Sequence, residues 1–407
     1  MGDLISDFAA GFGSPRINVI QSLKDYWNDF MNEIKFIGEC EGNPVKVDGY
    51  WYAYKLPKNF AELQANMQHN EQEKVGESKI YPFLISLICS IEGLHILNCG
   101  LERACDPEEV KANARALKKL PNAPWFVTFA HHFYNELCGH ARSLKKQIGK
   151  MTDQEKGINS GFTLLGEEVL DILLDNDPSK GKRILVDVKH MSPLSRNRFY
   201  ELRQTKYNSS IPIFMSNGVC NGLPFYGATV SNFPEFGKKF INPVENDIGG
   251  DLEPKNHNYI NFYDDEILEM VRSDGIIGIQ LDERRLANEE ALSEVKNSLF
   301  RNKMMHYRSE LVWRQVQYIA ELLDGHGLFA WGNVAIGSDF DGLVDPLNSF
   351  WTAEEFDDLA GYLERHAYNY FGKQPERMTQ AFNKLTADAV IQRIFHDNAW
   401  EFLQKWF

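Results

Sequence analysis

The sequence predicts an α/β fold, and within that class a (β/α)8 TIM-like barrel whose first strand is missing or atypical. Three observations carry this. The chain has 407 residues, which suits one elaborated barrel. Short, near-continuous apolar segments recur along it, and stretches with helical periodicity lie between them.

The apolar segments are Pro82 to Ile91, Trp125 to Ala130, Ile184 to Val188, Ile211 to Met215, Ile276 to Leu281 and Val334 to Ile336. Each has strand length, and none alternates, so they read as strands buried on both faces. Pro107 to Leu120 starts acidic and ends basic, which suits the helix dipole, and Gly166 to Leu174 places apolar residues at helical spacing. Asp264 to Val271 and Glu354 to Arg365 read the same way. Strand, loop and helix in this repetition leave a barrel or a doubly wound sheet.

Gln21 to Phe36 reads as an amphipathic helix and the aromatic segment Gly49 to Leu56 as an edge hairpin, but no clean first barrel strand is legible before residue 79. The expected organisation is an N-terminal helical and aromatic segment, 1–78, packing on a barrel, 79–407. Gly218 to Asn258, rich in Gly, Pro and Asn, reads as a long loop or insertion near one barrel mouth.

Apolar residues make up 43% of the chain and charged residues 25%, ordinary values for a protein with a filled core. A net charge of −14 argues against nucleic acid or an anionic membrane as partner. No apolar run spans a bilayer and no leader pattern opens the chain, so the expected location is the cytoplasm. The six cysteines are scattered without a C-x-x-C pair, and reduced thiols are expected. Met1 to Ser6 fits a loose myristoylation pattern too short to carry weight.

In a barrel the chemistry sits at the C-terminal strand ends. Glu92 and Gly93 follow the first apolar segment, His131 and His132 the second, and Lys189 and His190 the third. The last is followed by Gly337-Ser338-Asp339-Phe340-Asp341-Gly342. Singly, Asp339 would serve as a cap or turn residue, Glu92 as a solvated carboxylate and either histidine as a hydrogen-bonded core imidazole. Together, two carboxylates and two imidazoles at successive strand ends are the inventory of a hydrolytic metal site.

Several blocks, in order from about Lys79 onward, resemble the membrane (renal) dipeptidase family of zinc peptidases, which has an amidohydrolase-type barrel. They are Ser90-Ile91-Glu92-Gly93-Leu94-His95, Thr128-Phe129-Ala130-His131, Gly161 to Gly166, Val186 to Ser192, Gly337 to Gly342 and His396-Asp397-Asn398. The resemblance implies a metal-dependent hydrolase that cleaves a dipeptide or small amide with metal-activated water. Glu92 and His190 would bind zinc, one or two ions in the family. His131 would support the tetrahedral intermediate, and Asp339 would pass a proton to the leaving amine. The implied partner is a small-molecule or dipeptide substrate, with a homodimer as an open expectation.

The chain departs from the family pattern at three points. No H-x-D pair occurs among its eleven histidines, Asn217 stands where a second metal-binding histidine is expected, and Asn217 to Pro224 holds no counterpart of the substrate-carboxylate arginine. Asp3 or Asp7, or a grouping of His131, His132, Cys138 and His140, could supply replacement ligands, but nothing in their spacing argues for them. These departures set a second expectation beside the first, a catalytically silent barrel that binds a small molecule or protein partner through the same mouth.

Overall fold

The computed structural model describes residues 25–73, 82–100, 104–143, 154–228, 260–287, 291–293, 300–343 and 345–407. The chain divides into two compact units, one made of Met1–Gly139, Phe162–Val186 and Leu403–Phe407, the other of His140–Gly161 and Asp187–Phe402. Asp3, Asp7 and the Met1 to Ser6 pattern lie outside the described residues, as does most of the expected Gly218 to Asn258 insertion.

In the first unit, helix α1 (Tyr26–Cys40) is capped by Asp25, whose carboxylate accepts from Asn28 N–H at 3.0 Å. Strands β1 (Val45–Val47) and β2 (Tyr50–Lys55) form a hairpin, so the segment Gly49 to Leu56, expected to be a hairpin by itself, supplies only its second strand. Asp48 and Gly49 connect them with φ of 48° and 91°, the left-handed pair that a tight hairpin turn needs. Helix α2 (Phe60–Glu73) has few apolar residues and no clear periodicity, so the sequence reading missed it. Its Asn70 side chain donates to Leu84 O at 2.9 Å and accepts from Leu84 N at 2.8 Å, satisfying the edge of strand β3 (Phe83–Ser86) as another strand would.

Pro82 to Ile91, expected as one strand, is two. Its first half, β3, pairs parallel with β2, and its second half, β4 (Ser90–Glu92), pairs parallel with β5 (Phe126–Thr128). Leu87 N–H still bonds Lys55 O, whereas Cys89 O already accepts from Trp125 N–H. An unbroken apolar run records burial but not the change of partner.

Helix α3 (Pro107–Lys118) has Asp106 as its cap, Glu108 and Glu109 in the first turn, and Arg115 and Lys118 in the last. Helix α4 (Leu164–Leu174) starts on Thr163, whose hydroxyl accepts from Gly166 N–H at 3.0 Å. Strand β6 (Leu185–Asp187) completes the order β4-β5-β6 and carries the chain into the second unit. Val127, Phe129, Val110, Leu117, Val169 and Leu173 are fully buried in the first unit.

The second unit continues with helix α5 (Pro193–Thr205), strand β7 (Met215–Gly218), helix α6 (Asp264–Arg272), strand β8 (Ile277–Ile279) and a short helix α7 (Glu283–Leu286). Helix α8 (Arg301–Gly325), strand β9 (Val334–Ile336), and helices α9 (Phe356–Lys373), α10 (Ala387–Gln392) and α11 (Asn398–Trp406) follow, the last four residues of α11 being counted with the first unit. β7, β8 and β9 form a parallel sheet in that order. Asp187 forms a parallel bridge to Phe214, and Val188 N–H donates to Phe214 O at 3.2 Å.

The strand expected at Ile211 to Met215 starts later, at Met215, because Ile213 N–H is taken by the Ser273 hydroxyl rather than by a ladder partner. α8 was not expected either. It buries Arg308, Ser309, Gln315, Gln317 and Asp324 along with its apolar residues, and polar residues on buried faces blur the periodicity.

Two glycines set how closely these strands approach. A Cβ on Gly278 or on Gly337 would lie 2.0 Å from Ser216 O. Gly278→Ala therefore forces backbone apart, and we expect a loss of about 3 kcal/mol, the upper end of overpacking costs, measured by urea unfolding. A variant as stable as the parent would mean that Ser216 does not sit there. The described architecture is thus α/β, with parallel pairing except in the β1–β2 hairpin, and no described helix is long and apolar enough to cross a membrane.

Candidate metal and hydrolytic site

Glu92 is the last residue of β4, in register with Thr128 on β5. Ile91 turns into the core while Glu92 turns out, so the carboxylate stands at the strand end with its side chain 42% exposed. His131 follows β5 by three residues, and its Nε2 lies 3.3 Å from Glu92 Oε1. Gly93 makes this approach feasible. Its φ is +97°, and a Cβ there would meet His131 Cβ at 3.0 Å and His95 Nδ1 at 3.3 Å. The loop after β5 is held by buried Asn135, which donates to Phe129 O at 2.7 Å and accepts from the Leu137 and Cys138 N–H groups. His132 lies against His131 with ring centroids 3.8 Å apart and ring planes tilted by 37°.

The remaining expected residues belong to the second unit. His190 follows β6 by three residues, is 6% exposed and has φ +65°, a left-handed conformation rare outside glycine. Its carbonyl accepts from Ala141 N–H at 2.8 Å. Asp187, fully buried, accepts from Lys189 N–H at 3.0 Å, Ser216 N–H at 3.2 Å and Ser216 Oγ at 2.6 Å, so it ties the turn before His190 to β7. Asp339 follows β9 by three residues with φ +59°. Its Oδ2 accepts from Gln280 Nε2 at 2.7 Å, and Gln280 Oε1 accepts from Lys189 Nζ at 3.2 Å.

Glu92 and His131 are therefore brought together in the first unit, and Asp339 joins a polar chain in the second. Asn217 donates to Ser216 Oγ at 3.3 Å and offers an amide where an imidazole was expected. The grouping of His131, His132, Cys138 and His140 does not form a ligand set. Both ring nitrogens of His140 lie against backbone carbonyls, of Ala141 at 3.2 Å and Lys156 at 3.1 Å.

Sequence reasoning missed Asp187, Ser216 and Gln280, and noted Lys189 only as a neighbour of His190. Gln280 did leave a signal, as the one polar side chain in the apolar segment Ile276 to Leu281.

The Glu92 and His131 donors can be tested against a metal. Ligands at about 2.0–2.2 Å from a tetrahedral ion stand roughly 3.4 Å from one another, and this pair is separated by 3.3 Å. A carboxylate and an imidazole at that spacing fit one divalent ion. The sequence holds no H-x-D pair, and residue 217 offers an amide.

No protein-family model matches the sequence, and no curated relative matches it. Solved structures match in chain trace. A metallo peptidase from Rhodobacter sphaeroides, solved with a phosphinate mimic of the dipeptide L-Ala-D-Ala, is 12% identical and is matched over 87% of this chain and 69% of its own, with a TM-score of 0.47. The probable dipeptidase PvdM from Pseudomonas aeruginosa is 13% identical, matched over 87% and 74%, with a TM-score of 0.46. An amidohydrolase from the same organism is 10% identical, matched over 87% of each chain, with a TM-score of 0.40. At these identities and scores the likeness does not say what this chain binds or cleaves.

Proposed function

We propose that the chain is a metal-dependent hydrolase of the membrane dipeptidase type that cleaves a dipeptide or small amide. The observation that carries this is the Glu92–His131 pair, at ligand spacing on the ends of two adjacent parallel strands. The resemblance in sequence assigned His131 to the substrate alone. The 3.3 Å separation supports giving it a place beside Glu92 around one ion. A carboxylate with imidazoles suits zinc.

When bound, such an ion lowers the pKa of its water to about 7 and polarises the scissile carbonyl. The chain's own residues do the rest. Asp339, on its own turn after β9, takes the proton from the attacking water and delivers it to the leaving amine. Gly342 leaves room for that turn, since a Cβ there would lie 2.6 Å from Asp339 Oδ1.

We further read β4 to β9 as successive strands of a (β/α)8 barrel. Parallel pairing of β4 with β5 and of β7, β8 and β9 in order, with the parallel Asp187–Phe214 bridge, supports it. A silent barrel that binds a small molecule is the second reading, favoured by the amide at Asn217.

Elemental analysis of protein purified without chelator, paired with a dipeptide hydrolysis assay before and after zinc addition, decides between the two. We expect about one equivalent of zinc. In Glu92→Gln and in His190→Asn, affinity should fall by more than the roughly 10–100-fold caused by outer-shell changes. A protein without zinc and without turnover supports the silent barrel.

A further inference from the structure

We propose that Lys189 is a positioning residue that fixes the catalytic orientation of Asp339 through the side-chain amide of Gln280. The inference rests on the hydrolase reading above, because it gives Asp339 its task. The chain of contacts is Lys189 Nζ to Gln280 Oε1 at 3.2 Å, then Gln280 Nε2 to Asp339 Oδ2 at 2.7 Å.

The chemistry of the three groups admits one direction. An ammonium only donates, so it takes the carbonyl end of the amide and leaves the NH2 end facing Asp339. An ionised carboxylate only accepts, so the NH2 end is the one it can use. With an apolar side chain at 189, nothing prevents the amide from turning over and setting its oxygen against the carboxylate.

The relay is also dry and rigid. Lys189 is 2% exposed and Gln280 5%, in a protein where buried charges persist only when partnered. Gln280 N–H donates to Gly218 O at 3.0 Å, which fixes the residue on β7, and Lys189 N–H is held by Asp187. The amide therefore has little freedom except its own flip, which Lys189 controls. Neither Lys189 nor Gln280 needs to touch substrate.

The test compares Lys189→Met, Gln280→Leu and the double variant by hydrolysis kinetics. Misplacement of a reacting group by about 1 Å costs roughly 100-fold. We expect kcat to fall about 10–100-fold in each single variant, with KM within about 2-fold, and the double variant to be no worse than either. Lys189→Arg, which keeps a donor-only cation, should restore most of kcat. Unchanged kcat in both single variants, or losses that multiply in the double, overturn the proposal.

A readout independent of turnover keeps it separable from the hydrolase reading. The Gln280 side-chain amide signal of glutamine-labelled protein should move in Lys189→Met and in Asp339→Asn. If wild type hydrolyses nothing and the signal moves, the relay stands and the hydrolase reading falls. If the signal stays put in both variants, the relay falls whatever the activity. Variants are compared only where thermal melts show a cooperative fold. Should Lys189→Met fail to fold, Lys189→Gln, which lacks the charge but keeps a polar end, takes its place under the same criteria.

Discussion

Asp339→Asn is expected to lower dipeptide turnover by about 10²–10⁴-fold, the range of a lost general acid–base group, with little change in unfolding free energy. The substitution is nearly isosteric, and an asparagine oxygen can still accept from Gln280 Nε2, which now reaches Asp339 at 2.7 Å. The left-handed backbone at this position, φ +59°, is one asparagine adopts readily. Geometry is thus kept while the group loses its capacity to carry a proton. Zinc content should not change, because Asp339 is not among the proposed ligands. Turnover at the wild-type rate would remove Asp339 from the mechanism, and loss of zinc along with activity would move it into the ligand set.

Glu266→Ala should destabilise the fold by about 3–5 kcal/mol, the cost of leaving a buried cation without its partner. Glu266 binds Arg196 through two bonds, Nε to Oε1 at 2.6 Å and Nη2 to Oε2 at 3.0 Å. Tyr200 hydroxyl and Tyr263 N–H donate to the same carboxylate, each at 3.0 Å. Arg196 is fully buried, lies over the Phe262 ring, and donates through Nη1 to Met191 O, next to His190.

The pair thus braces the turn that carries a proposed ligand. Replacing both partners with methionine should cost much less than either single change, because no charge is then stranded. Urea unfolding of the two singles and the double reads this directly. Single-variant costs below about 1 kcal/mol, the range of exposed pairs, would show that the pair is solvated.

Where the sequence was legible, the reason was local. α3 announced itself through its acidic first turn and its basic last turn, within a dozen residues. α4 and α6 did so through apolar spacing, and β5, β6, β8 and β9 through short apolar segments that the structure buries. The positions of Glu92 at a strand end and of His131, His190 and Asp339 just past strands followed from the same local pattern. α2 was missed because its fixed points are Asn66 and Asn70, whose partners Ser86 and Leu84 lie up to 20 residues away. α8 was missed because ion pairs and hydrogen bonds such as Arg308–Glu283 satisfy its buried polar residues, and those partners are distant in sequence.

By itself the sequence determined which segments are apolar enough to bury, where helical charge and spacing patterns lie, and which ionisable side chains stand at strand ends. Those depend on neighbours along the chain. Only the tertiary structure decided that Pro82 to Ile91 divides between two sheets, that His131 meets Glu92 at ligand spacing over Gly93, and that Lys189, Gln280 and Asp339 form one polar chain. Strand partners and side-chain contacts join residues tens to more than a hundred positions apart. Their choice is set by how buried surfaces and donor and acceptor groups match in space, which the order of residues does not display.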